Sequence, residues 1–375
     1  MIQNNPFPTQ GYAGTAYFCD RVEETEMLTR YLTNGNHVLL LSPRRIGKTG
    51  LIEHCFNQPS IKDEYITIVV DIYSTKNLQD FVFVFGSKVM QAVKTMGRKV
   101  WEQFLAILLS LKSNISFDIN GVPEWSLGLG DIKNPSVTLD EIFQFLEEAP
   151  KPCLVAIDEF QQIAKYPETN VEAVLRTYIQ KMHNARFVFA GSQRHLMGEM
   201  FMSPARPFYM STSPLSLKPI NVDKYYDFAE HHFKAGGKHI TREAFDKIYN
   251  KFEGTTWYVQ FILNMTYGIL AKGMQCDEGV VDAAIRQTLQ TFSPVFENML
   301  YQLPFKQKEV LIAIAREGEA ENVTAKAFLR KYTLTASTVQ AAVKGLLEKD
   351  FITHHLGIYQ LSDKFFALWL LRENA

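Results

Sequence analysis

Four short runs of almost unbroken apolar residues stand out from an otherwise amphipathic chain: His37–Leu41, Tyr65–Asp71, Cys153–Asp158 and Arg186–Ala190. A short run that is apolar on both sides predicts a strand buried on both faces. Helical stretches separate the first three, and that alternation predicts a parallel sheet with helices on both of its faces. A fifth strand is expected within Phe208–Leu217, just before Pro219. The segment 113–137 breaks the rhythm. Its Gly121, Pro123, Gly128, Gly130 and Pro135, with the alternation Ile115-Ser116-Phe117-Asp118-Ile119, predict a hairpin inserted in the sheet domain.

Beyond Pro219 the pattern is helical. Asp223–Phe233 and Ala244–Phe252 carry apolar residues at three- and four-residue spacing, with Thr241 as an N-cap and Gly254 as a stop. Further helices are expected at about Trp257–Ala271 and Glu278–Leu300, and Pro304 marks a second boundary. The remainder reads as three helices and a short strand pair. Thr324–Tyr332 and Ser337–Lys349 form a helix-turn-helix with Leu334 in the turn and Val339, Val343, Leu346 and Leu347 facing inward. Phe351–Thr353 and Ile358–Leu361 make a wing around Gly357. The expected organisation is an α/β core at 1–219, a helical domain at 220–303 and a winged-helix domain at 304–375.

Composition narrows the class. A chain of 375 residues exceeds one ordinary core. With 46% hydrophobic and 21% charged residues it is expected to fold throughout. Lys plus Arg (39) balances Asp plus Glu (40), so no chain-wide polyanion-binding surface is indicated. Cys19, Cys55, Cys153 and Cys276 lie far apart with no CxxC pair, as expected of reduced thiols in a cytoplasmic protein. Met1–Pro6 has neither the basic nor the apolar segment of a signal peptide. Runs such as Phe104–Leu109 are too short to cross a bilayer, so no membrane partner is expected.

The candidate chemistry begins at Ser42-Pro43-Arg44-Arg45-Ile46-Gly47-Lys48-Thr49, between a predicted strand and a predicted helix starting at Gly50. In that context backbone N–H groups converge on phosphate at a helix N-terminus. Gly47 lets the backbone approach, Lys48 offers a point charge to the β and γ phosphates, and the Thr49 hydroxyl is an expected Mg²⁺ ligand. Serine stands where the usual motif begins with glycine, which is tolerable if φ at Ser42 is negative. The strand Cys153–Asp158 ends in adjacent carboxylates: Asp158 to hold Mg²⁺, and Glu159 to activate the attacking water. Ligands of open parallel sheets bind at such strand ends, so the two motifs are expected to meet. Phe187-Val188-Phe189-Ala190-Gly191-Ser192-Gln193 offers Ser192 or Gln193 as a polar sensor of the γ phosphate, with a plain turn as the alternative.

On these residues the chain resembles the archaeal-type ATPase family of the STAND nucleotide triphosphatases. Phe18-Cys19-Asp20-Arg21-Val22-Glu23-Glu24 is similar to the family's Phe-x-x-Arg-x-x-Glu entry, which implies that Phe18 and Arg21 lie near the nucleotide base. Pro43–Thr49 resembles its Pro-Arg-Arg-x-Gly-Lys-Thr loop, Ile157–Gln161 its acidic strand and Gly191-Ser192 its sensor strand. Where the family commonly reads Pro-Leu-Tyr-Gly-Arg, this chain has Pro207-Phe208-Tyr209 without the Gly-Arg. Arg206 precedes the proline instead and is the candidate arginine finger, with Arg194 as the fallback. Gly254-Thr255-Thr256-Trp257-Tyr258 is similar to a lid element that usually reads Gly-Gly-x-Pro-Tyr. The resemblance implies an ATPase core, a helical lid and a winged-helix end, with ATP and Mg²⁺ as cofactors.

The expected function is ATP binding with slow, regulated, Mg-dependent hydrolysis that works as a nucleotide switch. The alternative is a DNA-binding winged-helix protein in which nucleotide is structural or regulatory. Exposed Thr338, Gln340 and Lys344 could meet phosphates or bases. Residues 305–375 carry ten basic and eight acidic side chains, which leaves DNA contact, partner docking and self-association all open.

Overall fold

A computed structural model describes residues 5–95, 97–98, 100–102, 135–355 and 357–373. The chain divides into two compact units, Gln10–Lys218 and a second made of Met1–Thr9 with Pro219–Ala375.

The first unit is built on five parallel strands: β1 (Val38–Leu41), β2 (Ile66–Asp71), β3 (Cys153–Asp158), β4 (Ala185–Gly191) and β5 (Ser213–Ser216), in the order β2-β3-β4-β1-β5. Successive side chains of each strand face opposite sides. Leu39, Val155, Ile157, Phe187 and Phe189 enter one apolar core; Val38, Leu40, Leu154, Ala156, Val188 and Ala190 enter the other. Two covered faces are why these strands are apolar throughout instead of alternating. Helices α1 (Val22–Thr33), α2 (Lys48–Phe56), α3 (Pro59–Lys62), α4 (Leu78–Thr95), α5 (Pro135–Glu148), α6 (Val171–Lys181) and α7 (Arg194–Met202) flank the sheet. The hairpin expected at 113–137 lies outside the described residues, except that Pro135 opens α5.

All four cysteines are buried and none is in a disulfide. Burial pushes the Cys55 thiol up to about 11 and those of Cys153 and Cys276 up to about 12, as befits inert core thiols. No helix among the described residues is long and apolar enough to cross a membrane.

The second unit holds helices α8 (Val222–Ala235), α9 (Arg242–Lys251), α10 (Thr256–Ile269) and α11 (Glu278–Tyr301). The Thr241 hydroxyl accepts the Ala244 amide at 3.1 Å, the expected N-cap of α9. A two-residue parallel pair, β6 (His239–Ile240) and β7 (Gln275–Cys276), was not visible in the pattern. One expectation is corrected. The chain's first described residues, placed by sequence with the core, belong to this second unit. Phe7 is fully buried against Phe228, Phe233 and Tyr267, and Asn264 Nδ2 donates to the Phe7 carbonyl at 2.7 Å.

The C-terminal part runs α12 (Phe305–Glu317), β8 (Ala320–Glu321), α13 (Lys326–Tyr332), α14 (Ala336–Glu348), β9 (Ile352–His355), β10 (Ile358–Leu361) and α15 (Lys364–Glu373). The wing is three-stranded, ordered β8-β10-β9. Val339, Val343 and Leu346 are buried on α14, whereas Leu347 is half-buried and Gln340 and Lys344 are exposed.

Candidate functional site

The C-terminal edge of the sheet gathers the predicted chemistry. Leaving β1, the chain turns through Arg45 (φ 65°) and Gly47 (φ 97°) and enters α2 at Lys48. Those left-handed residues fold the loop back on itself and leave the first-turn amides of α2 at its mouth. Ser42 does not adopt a positive φ, which is how serine replaces glycine here. It is fully buried, and its hydroxyl accepts the Leu217 amide at 2.9 Å, tying the loop to the segment after β5.

Lys48 is 6% exposed, and its ammonium donates to the carbonyls of Ser42 (3.2 Å) and Pro43 (2.9 Å). Burial lowers its pKa from the usual lysine range. Asp158 and Glu159 oppose that shift, while Arg44 and Arg194 add to it. Burial is the largest of these effects, so an anionic group brought against the ammonium would stabilise its charged form.

Thr49 and Asp158 are 109 positions apart, yet the Thr49 hydroxyl donates to Asp158 Oδ2 at 2.5 Å. Burial raises the Asp158 pKa, while the Thr49 hydroxyl, the Glu159 amide and the Lys48 charge pull it back. A hydroxyl and a carboxylate oxygen are the hard donors Mg²⁺ prefers, together with phosphate and water, so this pair fits the ion.

Glu159 follows with φ 56°, an uncommon conformation for glutamate. Its Oε2 accepts two hydrogen bonds, from the Ser192 hydroxyl at 2.7 Å and from Gln161 Nε2 at 2.5 Å. The short helical turn Phe160–Lys165 that carries Gln161 is pinned by Phe160, whose ring lies 4.7 Å from Phe189, 5.7 Å from Phe201 and 5.5 Å from Phe208. Burying such a ring contributes about 1.5–3 kcal/mol. Ser192 lies just beyond β4, the strand between β3 and β1, so the sheet order brings it to both motifs.

The remaining predicted residues sit as follows. Arg21 is 4% exposed and donates to the Lys218 carbonyl (2.6 Å), the Ile46 carbonyl (3.2 Å) and Glu24 (2.7 Å). It therefore clamps the phosphate loop to the segment after β5. Phe18 stacks on His54 of α2 with ring centroids 4.0 Å apart, and its ring lies 3.6 Å from where a Cβ on Gly50 would be. Arg206 is not brought into this group: its guanidinium pairs with Glu172 and lies 3.6 Å from Glu199. The Arg194 charge, by contrast, is felt at Lys48. Sequence reasoning missed Gln161, whose only signal was its place two residues beyond the acidic pair.

A family model described as an ATPase domain predominantly from Archaea matches residues 18–262. The chain belongs to this archaeal ATPase family. A second model, described as a probable winged helix domain, matches residues 294–372 of this archaeal-type ATPase. Its fold is similar to that of the Walker-type ATPase PABY2304 of Pyrococcus abyssi, at 16% identity and a TM-score of 0.68, covering 98% of this chain and 99% of that one. It is also similar to the Aeropyrum pernix ORC2 protein, solved as ADPNP–ADP complexes (13% identity, TM-score 0.57, 98% of each chain). The Aeropyrum pernix ORC1 protein in complex with DNA gives 14% identity and a TM-score of 0.52 over 98% of this chain and 94% of that one. No curated protein matches the sequence. Family and neighbours together support nucleotide binding and ATPase activity.

Proposed function

We propose that this archaeal-type ATPase is a nucleotide switch of the STAND kind, which binds Mg-ATP at the loop 42–49 and hydrolyses it slowly. The observation that carries the reading is the meeting of Thr49 with Asp158, next to the buried Lys48 at the start of the same helix. In this reading Lys48 leaves the carbonyls of Ser42 and Pro43 for phosphate oxygens. Arg44, Arg45, Ile46, Gly47 and Gly50 line the loop, and Phe18 marks the base side. Arg21 acts indirectly, by fixing the loop. Thr49 and Asp158 hold Mg²⁺, which would neutralise charge on the phosphates when bound. Glu159 accepts a proton from the attacking water, and Ser192 reports on the γ phosphate through its bond to Glu159. Of the two candidate arginines, Arg194 is the better placed to stabilise charge in the transition state, because Arg206 is already paired.

A second reading, DNA contact through the winged helix, is favoured by exposed Gln340 and Lys344 on α14 and by the DNA-bound ORC1 neighbour. One experiment addresses both. Phosphate release is measured for the wild type and Glu159→Gln, with and without duplex DNA, at two salt concentrations. The first reading expects Glu159→Gln to bind Mg-ATP normally while turnover falls about 10²-fold or more; wild-type turnover would sink it. The second expects stimulation by DNA that fades as salt rises, and is rejected if DNA changes nothing.

A further inference from the structure

We propose that Gln161 is a positioning residue for hydrolysis, one that orients the Glu159 carboxylate by gripping one of its two oxygens. The inference rests on the proposed role of Glu159 as the base.

A glutamate carboxylate turns easily about its last torsion, which has a broad, roughly two-fold profile. Here both hydrogen bonds land on Oε2, from Gln161 Nε2 at 2.5 Å and Ser192 Oγ at 2.7 Å. Two donors from different segments fix the plane of the group and make its oxygens inequivalent. Oε2 is occupied, and Oε1 is left as the atom that meets water. Ser192 alone would fix one contact and leave the rotation about it.

The surroundings are arranged for this grip. Gln161 is 2% exposed, and its Oε1 has no hydrogen-bond partner among the described residues. An apolar side chain of the same size would fill the space without that unpaired oxygen, so packing alone does not account for an amide here. The amide orientation is dictated by its neighbour, because only the NH₂ end can face a carboxylate. Room for the other end is made by Gly191, the last residue of β4. A Cβ on Gly191 would lie 2.1 Å from Gln161 Oε1 and 2.7 Å from Met197 Sδ. Gly191 does not have a positive φ, so glycine is required by space and not by backbone conformation. One short segment, Gly191-Ser192, thus supplies both the clearance for one donor and the hydroxyl of the other. Displacement of a catalytic group by an ångström can cost on the order of 10²-fold in rate.

The test is a set of four proteins: wild type, Gln161→Met, Glu159→Gln and the double variant, with kcat under saturating Mg-ATP and the Kd for Mg-ATP measured separately. Gln161→Met keeps the length of the side chain but has no donor. The expected result is a fall in kcat of roughly 10- to 100-fold with Kd changed less than about twofold. In the Glu159→Gln background the same substitution should add no further loss, because Gln161 acts through Glu159. Should Gln161→Met fail to fold, as judged by far-UV circular dichroism and a lost melting transition, Gln161→Leu, which also has no donor, replaces it in the same cycle. A wild-type kcat in the Gln161 variant, beside a slow Glu159→Gln, overturns the inference and leaves Glu159 as base. An undiminished effect of Gln161→Met in the Glu159→Gln background overturns it equally, since the residue would then act elsewhere. Wild-type turnover by Glu159→Gln overturns the reading on which the inference rests.

Discussion

Replacing Arg21 by methionine removes a guanidinium but keeps most of the buried volume, so the loss is chiefly polar. The Ile46 and Lys218 carbonyls would each lose a charged donor, at 3.2 and 2.6 Å, in a site where Arg21 is only 4% exposed. Ile46 is buried, and leaving its carbonyl unpaired costs about 1–3 kcal/mol, whereas Lys218 is exposed and water can replace the lost donor there. The Glu24 pair adds less, because that carboxylate is 24% exposed and water can replace the arginine. The loss is therefore about 1–3 kcal/mol, set mainly by the Ile46 carbonyl. For a unit of this size each kcal/mol lowers the melting temperature by about 2–4 °C, so a fall of roughly 2–12 °C is expected. Scanning calorimetry reads it directly, and Arg21→Lys should fall between, since one ammonium cannot span three acceptors. If Arg21→Met melts within about 1 °C of wild type, the clamp has no energetic meaning. If it melts normally yet loses ATP affinity, Arg21 touches nucleotide instead.

Two further outcomes follow from charges that the fold constrains. Burial, with the Arg186 guanidinium nearby, lowers His37 from 6.5 to about 4, and its Nδ1 accepts the Phe187 amide at 3.1 Å. The unfolded chain therefore binds the extra proton first. His37 contributes stability in full above about pH 6.5 and loses it as pH falls toward 4, on the order of 3 kcal/mol. Urea titrations of wild type and His37→Asn across that window should converge at low pH, and parallel curves would contradict the assignment. For the two arginines, Arg194→Ala is expected to lower turnover at least tenfold while Arg206→Ala lowers the melting temperature, because only Arg206 is paired with Glu172. The reverse pattern in turnover and melting assays would return the finger role to Arg206.

The sheet was legible because its strands are buried on both faces, and a short apolar run bounded by polar turns is hard to fold as anything but a buried strand. Sheet order made the acidic strand end and Ser192 neighbours of the phosphate loop, as strand-end reasoning expects. Elements without a period were not legible. The two-residue pairs at His239–Ile240 and Gln275–Cys276, and the third wing strand at Ala320–Glu321, are too short to carry alternation. The last helix, Lys364–Glu373, shows no clear helical period because Phe365-Phe366-Ala367-Leu368-Trp369-Leu370-Leu371 is apolar on nearly every side. Gln161 escaped for a different reason. Its contact depends on a left-handed Glu159 and a short 3-10 turn, which bend the chain back within two residues. Arg21 was read through its likeness to a base-side motif, whereas its partners are carbonyls 25 and 197 residues away.

The central claim is that a buried lysine in a strand–loop–helix turn exists to hold phosphate. Calorimetric titration of Mg-ATP into the wild type and into Lys48→Ala tests it most directly. Wild type should bind one nucleotide, and the variant should bind at least tenfold more weakly, a loss of about 1.4 kcal/mol. Its melting temperature without nucleotide should hold or rise, because the substitution removes a buried cation whose hydrogen bonds among the described residues go to two neutral carbonyls, of Ser42 and Pro43. Equal affinity in the two proteins would contradict the account.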